Sequence, residues 1–354
     1  MTARRLESQL DLLLQTYQGA VPGACVMVLR EGVPVVRLAY GLADLASAIP
    51  TTPATNFRIA SLSKQFTAAA VLLLAEEGLL TIDDFARRWL PSLPQAAAEV
   101  TIRQLLTHRS GLIDYEEVIP RGTAVQLRNA DVLKLLESAD RTYFRPGTGY
   151  RYSNSGYALL ALIVQRASGE AFAAFLQRRI FRPLQMLNSI AFESGISVIA
   201  NRAYGYSASG ISWTFTDQSL TSATLGDGGI YSSIDDLAKW DAALYDARLL
   251  RPESLRSAFM PATDTDDAAV RYGFGWRITG ESLWHSGETM GFRCVILRYP
   301  AHRFSVIMLT NRDGPAPYST ALDIAKLFLP DADAQRAKIS EAGPDSGNRP
   351  LPIA

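Results

Sequence analysis

The sequence predicts an α+β fold: an antiparallel sheet flanked by terminal helices, with an inserted, mostly helical lobe. Three observations carry this. Strand-like runs stand near the N-terminus and again after residue 270, helical spacing dominates the middle, and helical patterns occur at both ends. One sheet built from the two ends would be covered by the terminal helices. A cleft between the lobes is a preferred place for a ligand. The expected unit spans 1–330, with an α/β lobe over about 1–80 and 225–330 and a helical lobe over about 81–224.

The elements follow in order. Leu6, Leu10, Leu13, Leu14 and Tyr17 recur at helical spacing with Glu7, Gln9 and Asp11 between them, which predicts an amphipathic helix rather than a signal peptide. Residues 24–29 and 33–39 flank Arg30-Glu31-Gly32 and read as a hairpin. An apolar run after Ser61-Leu62-Ser63-Lys64 predicts a helix ending near Gly78. From 81 to 206 the chain reads as mostly helical, with helices over 101–107, 131–138, 158–167 and 171–180; Pro146-Gly147 and Ser168-Gly169 separate them. Ser233-Ile234-Asp235-Asp236 is a capping box opening a helix through Trp240 and Leu244. Strands are expected over 273–279, 282–286, 293–299 and 304–310, then a helix over 318–329. Residues 331–354 lack periodicity and are expected to be a disordered tail.

Composition narrows the function. The chain has 354 residues, enough to bury a large core without a disulfide or metal. Lys+Arg 35 balances Asp+Glu 35, so no net field attracts nucleic acid or an acidic membrane. The longest apolar stretch, 68–75, falls far short of the roughly 20 residues that span a bilayer. A cytoplasmic protein is expected, or a periplasmic or secreted one if an export signal has been removed. Cys25 and Cys294 both lie in apolar strand-like runs and read as buried thiols, with a bridge as the alternative. His108, His285 and His302 are widely separated and no His-Glu-x-x-His occurs, so no metal and no cofactor is expected.

Chemistry enters with Ser61 and Lys64. Three residues apart at the start of a helix, they share one face. The amine can take the hydroxyl proton, and helix-start N–H groups lie beside it. Taken alone, Ser61 is equally a helix cap and Lys64 a solvated first-turn residue. Ser63 is adjacent to Lys64 in sequence and therefore on another face. No Gly-x-Ser-x-Gly elbow occurs, which argues against an α/β-hydrolase. Leu225-Gly226-Asp227-Gly228-Gly229 lacks the Gly-Lys-Ser/Thr of a phosphate loop and reads as a tight turn before a helix. His108 reads as structural.

Two further motifs follow Ser61-Leu62-Ser63-Lys64: Tyr152-Ser153-Asn154 and His285-Ser286-Gly287. Around them stand Leu105-Leu106-Thr107-His108-Arg109-Ser110-Gly111-Leu112, Phe144-Arg145-Pro146-Gly147, Phe181-Arg182-Pro183-Leu184 and Gly228-Gly229-Ile230. In this order they resemble the serine β-lactamase and penicillin-binding superfamily, in particular class C-like β-lactamase-related hydrolases and esterases, over roughly 21–311. The resemblance implies a β-lactamase/transpeptidase-like fold. It also implies that Ser61 is the acylated nucleophile, Lys64 its base and Tyr152 the group that shuttles the proton. Asn154 would orient substrate and lysine. His285, Ser286 and Gly287 would line the cleft, and the N–H groups of Ser61 and Glu288 would hold the oxyanion.

One departure bears on substrate. Relatives carry Lys-Thr-Gly or Lys-Ser-Gly where this chain has His285. Lysine, with a reference pKa of about 10.4, is a cation near neutral pH, whereas a histidine near 6.5 is only partly charged. An anionic substrate group would then need another partner, for which Arg293 is a candidate, though an exposed strand arginine is the simpler reading. The expectation is a serine hydrolase for esters or small amides, its partner a small-molecule ester, amide or lactam. Alternatives are a β-lactamase, D-aminopeptidase or D-Ala-D-Ala carboxypeptidase, an acyltransferase, and a catalytically dead binding protein on the same fold. Oligomeric state is not readable.

Overall fold

Apolar strands from the two ends of the chain, buried on both faces, meet in one antiparallel sheet. The computed structural model describes residues 3–329. Among these, the main sheet has eight strands: β1 Ala24–Arg30, β2 Val33–Tyr40, β3 Thr263–Asp264, β4 Arg271–Tyr272, β5 Arg277–Thr279, β6 Ser282–Thr289, β7 Phe292–Tyr299 and β8 Phe304–Thr310. Their order is β3-β4-β5-β6-β7-β8-β1-β2, so the N-terminal hairpin closes onto the C-terminal strand. Glu31 and Gly32 turn that hairpin with φ of +52° and +76°, the left-handed pair that a two-residue connection requires.

Strand periodicity of two then sorts the side chains onto two buried faces. Ala24, Val26 and Val28 face one cluster, with Leu10 of the N-terminal helix and Ala321 and Ile324 of the helix Pro317–Lys326. Cys25, Met27 and Leu29 face the other, with Leu62 and Phe66. The helix Ser63–Glu76 is buried without a break from Ser63 to Leu74, as expected of a helix apolar on all sides. It packs against the helix Asn154–Ser168 of the inserted lobe.

The sheet register answers the cysteine question. Cys25 and Cys294 both pair with Leu309, from opposite sides of β8. Two strand spacings, about 10 Å, separate them, beyond the roughly 7 Å Cα limit for a disulfide. Both are free and buried.

Several expected elements differ. Of the strand expected over 273–279 only β5, Arg277–Thr279, forms, because Gly275 adopts φ +76° and lies against the Ser63–Glu76 helix, where a Cβ would sit 2.9 Å from the Lys64 carbonyl oxygen. The stretch 81–206 is less helical than its spacing suggests. A pair Phe57–Arg58 and Ile230–Ser232, joined by Ile190–Ala191, forms a small sheet beneath the nucleophile turn. A hairpin, Tyr206–Ser209 with Ser212–Phe215, follows. The glycine-rich turn at 225–229 leads into the strand Ile230–Ser232 rather than directly into a helix. Ser233 does cap the next helix, Ile234–Ala243, by accepting from the Asp236 N–H at 3.2 Å. No single helix among the described residues is long and apolar enough to cross a membrane. The tail expected over 331–354 lies outside the described residues.

Candidate active site

The turn that carries Ser61 is held under strain. Ala60 adopts φ +47°, a left-handed conformation that costs a non-glycine residue roughly 1–2 kcal/mol. It opens a short 3-10 turn, Ala60–Leu62, that runs directly into the Ser63 helix. The neighbours fix it there. Ser63 Oγ, fully buried, accepts from the Ile230 N–H at 3.2 Å, so this second serine is structural. Arg58 donates to the Ser222 carbonyl at 2.7 Å. On the opposite side β6 presses close: a Cβ on Gly287 would lie 2.1 Å from the Ile59 carbonyl oxygen.

Lys64 sits one turn beyond Ser61, as the i, i+3 spacing requires. Its Nζ donates to Ser61 Oγ at 2.9 Å, to Asn154 Oδ1 at 2.7 Å and to the Asp227 carbonyl oxygen at 3.0 Å. Ser61 and Asn154 keep partial exposure, whereas Lys64 is completely buried. Burial pulls the amine down to about 8; the carboxylates of Asp227, Asp114 and Glu116 push it back up, and the Arg277 guanidinium pushes it down. Three hydrogen-bond acceptors and a lowered basicity leave an amine that is directed at the serine and able to lose its proton near neutral pH.

Tyr152 precedes the Asn154 helix and lays its ring over the amine, with Lys64 Nζ 4.9 Å from the ring centroid. His108 packs on this ring at 4.2 Å between centroids. That histidine is buried, adopts φ +56°, and accepts the Ser153 N–H on Nδ1 at 3.2 Å. Its ring backs the tyrosine, a contact that the sequence placed merely near a helix end.

The third motif lies on an open strand edge. β5 pairs with β6 only from Ser282 to Trp284, so His285 to Thr289 have no strand beside them on that side. The pairing of Thr289 with Phe292 around a two-residue turn sets the register. It directs the N–H groups of Ser286 and Glu288 toward that open edge. The partly charged cleft histidine expected at 285 is not found. His285 is 1% exposed, and Nδ1 faces its neighbour's carbonyl, Ser286 O, at 2.6 Å. Nδ1 therefore carries the proton, and Nε2 accepts from the Tyr272 hydroxyl at 3.0 Å. Burial, Arg277 and Lys64 hold the imidazole well below its ordinary range, so it is neutral. Arg293 is likewise not a free cleft cation: it donates to the Thr289 and Phe292 carbonyls at 2.6 and 2.8 Å. Arg277 on β5 places a positive charge near the site, with Cζ 5.5 Å from the Tyr152 ring.

Three carboxylates complete the pocket. Asp114 Oδ2 accepts the Asn154 N–H at 2.7 Å, capping that helix from another loop. Its Oδ1 accepts the Glu116 N–H at 3.0 Å. Glu116 Oε1 accepts from Asn154 Nδ2 at 2.9 Å, and Asp227 Oδ2 accepts from the Tyr115 hydroxyl at 3.2 Å. Burial pushes the Glu116 carboxyl up to about 7, with Asp114 and Asp227 adding to the shift. Nothing in the sequence flagged these acids, beyond their place in or near glycine-containing loops. Among the described residues no group of three or more His, Cys, Asp or Glu is arranged to hold a metal ion.

A serine hydrogen-bonded to a buried lysine, set between an antiparallel sheet and a helical lobe, fits a serine hydrolase of the β-lactamase and penicillin-binding superfamily. Comparison with known proteins agrees: the beta-lactamase family model matches residues 3–329, and the chain belongs to that family. It is 34% identical to penicillin-binding protein 4* of Bacillus subtilis over 319 residues, 84% of this chain and 70% of that protein. It is 31% identical to a D-aminopeptidase of Brucella canis over 350 residues, 94% of this chain but 64% of that enzyme. An octameric penicillin-binding protein homologue from Pyrococcus abyssi superposes with a TM-score of 0.80 at 25% identity, covering 93% of this chain and 78% of that one.

Proposed function

We propose that this serine hydrolase forms an acyl-enzyme on Ser61 and acts on esters or small amides. The observation that carries the proposal is the 2.9 Å contact between Lys64 Nζ and Ser61 Oγ, made by an amine that burial pulls down to about 8. Neutral Lys64 takes the Ser61 proton as Oγ attacks the substrate carbonyl carbon. Negative charge then collects on the former carbonyl oxygen. The N–H groups of Ser61 and Glu288 are assigned to hold it, each donor worth about 3 kcal/mol. Tyr152, over the Lys64 amine, returns the proton to the departing alkoxide or amine, and water then releases the acyl group. Asn154 keeps the lysine aimed. A neutral, buried His285 supplies no cation for a substrate carboxylate, which favours uncharged esters and amides.

A second reading is a D-aminopeptidase, carboxypeptidase or β-lactamase activity. It draws on the relatives, among them a D-aminopeptidase, and on the positive charge of Arg277 near Tyr152. A substrate panel separates the two: short p-nitrophenyl esters, D-amino-acid p-nitroanilides and nitrocefin, each with wild type beside Ser61→Ala. The expected result is ester turnover that falls by on the order of 10⁴ in Ser61→Ala, with a fluorophosphonate adduct on wild type alone. Turnover only on D-amino-acid anilides or nitrocefin would favour the second reading. Transfer products on adding alcohols would show an acyltransferase, and absence of any adduct under saturating probe a binding protein.

A further inference from the structure

Asn154 carries an amide whose two ends differ, and both are engaged: Oδ1 accepts from Lys64 Nζ at 2.7 Å and Nδ2 donates to Glu116 Oε1 at 2.9 Å. Exchange of the two ends would aim an N–H at the ammonium and an oxygen at a carboxylate, so Glu116 fixes which end faces the lysine. Glu116 is itself fixed, because its N–H is held by Asp114 Oδ1 at 3.0 Å. Serine, lysine, asparagine and glutamate thus form one chain of hydrogen bonds from the nucleophile to a half-buried carboxylate. We propose that Glu116 is a positioning residue which, through Asn154, orients the Lys64 amine and governs when it loses its proton.

The charges around the pair set the direction. Asp114, from the same loop, and Asp227, from the turn before the strand Ile230–Ser232, are the neighbouring acids. Lys64 faces Glu116 from its own helix, and Arg277 faces Lys64 from β5. His108, His285 and Tyr115 are also close, and burial together with these charges disfavours their ionised forms. Ionised Glu116 stabilises the ammonium and so opposes the base form that attack requires. Glu116 in turn titrates near 7, close to the lysine, so the two groups lose their protons as a coupled pair. Below that pH the carboxyl is neutral and still able to hold the amide; above it, its charge delays deprotonation of Lys64.

This inference rests on the role of Ser61 and Lys64 proposed above, and the experiment separates the two. The full chain, its Glu116→Gln and its Glu116→Asp are labelled with a fluorophosphonate from mildly acidic to alkaline pH, and the second-order rate of Ser61 labelling is followed by intact mass. Glutamine keeps the acceptor oxygen but not the charge. Its acidic limb is expected to move down by about one pH unit, with the alkaline plateau within a few-fold of wild type. Aspartate keeps the charge but is a methylene shorter. Its limb is expected to stay near that of wild type while the plateau falls on the order of ten-fold, through loss of alignment. A purely structural glutamate would move neither limb. A Glu116→Gln limb that superimposes on wild type or moves up, or an aspartate variant shifted equally, overturns the inference alone. If wild type is not labelled at Ser61 at any pH, the proposed function falls and this inference with it.

Discussion

At the residue scale the proposed chemistry turns on a single buried amine, that of Lys64. Lys64 combines an i, i+3 relation to Ser61, which any helix would provide, with full desolvation, which only this core provides. Its lowered basicity fixes the sign of the pH dependence. Below about 8 the amine is an ammonium and cannot accept the serine proton; above it the base form dominates. Ester kcat/KM is therefore expected to rise about ten-fold per pH unit on the acidic side and level off above pH 8. A rate that declines steadily through this range would contradict Lys64 as the base. The neighbourhood of Ser61 and Lys64 was legible from their i, i+3 spacing, whereas their proposed role needed the motifs at Tyr152 and His285 as well. Glu116 was not legible, because its role depends on Asn154, 38 positions away.

At the scale of elements, the site depends on how closely β6 approaches the nucleophile turn. Gly287 is required by space, since a Cβ there would meet the Ile59 carbonyl at 2.1 Å, backbone against side chain. Gly287→Ala must push β6 away from Ser61 and with it the Glu288 N–H. Turnover is expected to fall by on the order of 10², with the far-UV circular dichroism retained; unchanged turnover would show that β6 does not serve the site. Strand existence and hairpin order were readable from alternation and turn residues. The loss of strand over 273–276 was not, because apolar residues run through it and the interruption comes with the contact of Gly275 with the Lys64 helix.

Over the whole molecule, the sheet and the helices on its inner face are locked by buried polar contacts as well as apolar area. Arg298 on β7 and Asp241 on the helix Ile234–Ala243 are both about 1% exposed. Their Nε and Oδ1 lie 2.5 Å apart, and Ser305 on β8 donates to the same Oδ1 at 2.7 Å. Asp241→Ala would leave the guanidinium buried without its counter-charge, destabilising the fold by about 3–5 kcal/mol and lowering Tm by on the order of 5–10 °C. Thermal unfolding measures this directly, and a Tm within a degree or so of wild type would show that the helix is held by packing alone.

What the sequence alone determined is whatever follows from neighbours along the chain. The shared helix face of Ser61 and Lys64 and the hairpin around Arg30-Glu31-Gly32 are set by bond geometry and local turn chemistry, and they were readable residue by residue. The tertiary structure decided the charges and the distances. It buries His285 as a neutral donor to a carbonyl, gathers Asp114, Glu116 and Asp227 around one lysine, and places Cys25 and Cys294 two strands apart. Basicity depends on desolvation and on charges a few ångströms away, and for Lys64 the charges come from segments fifty residues or more along the chain, whose meeting no local pattern encodes.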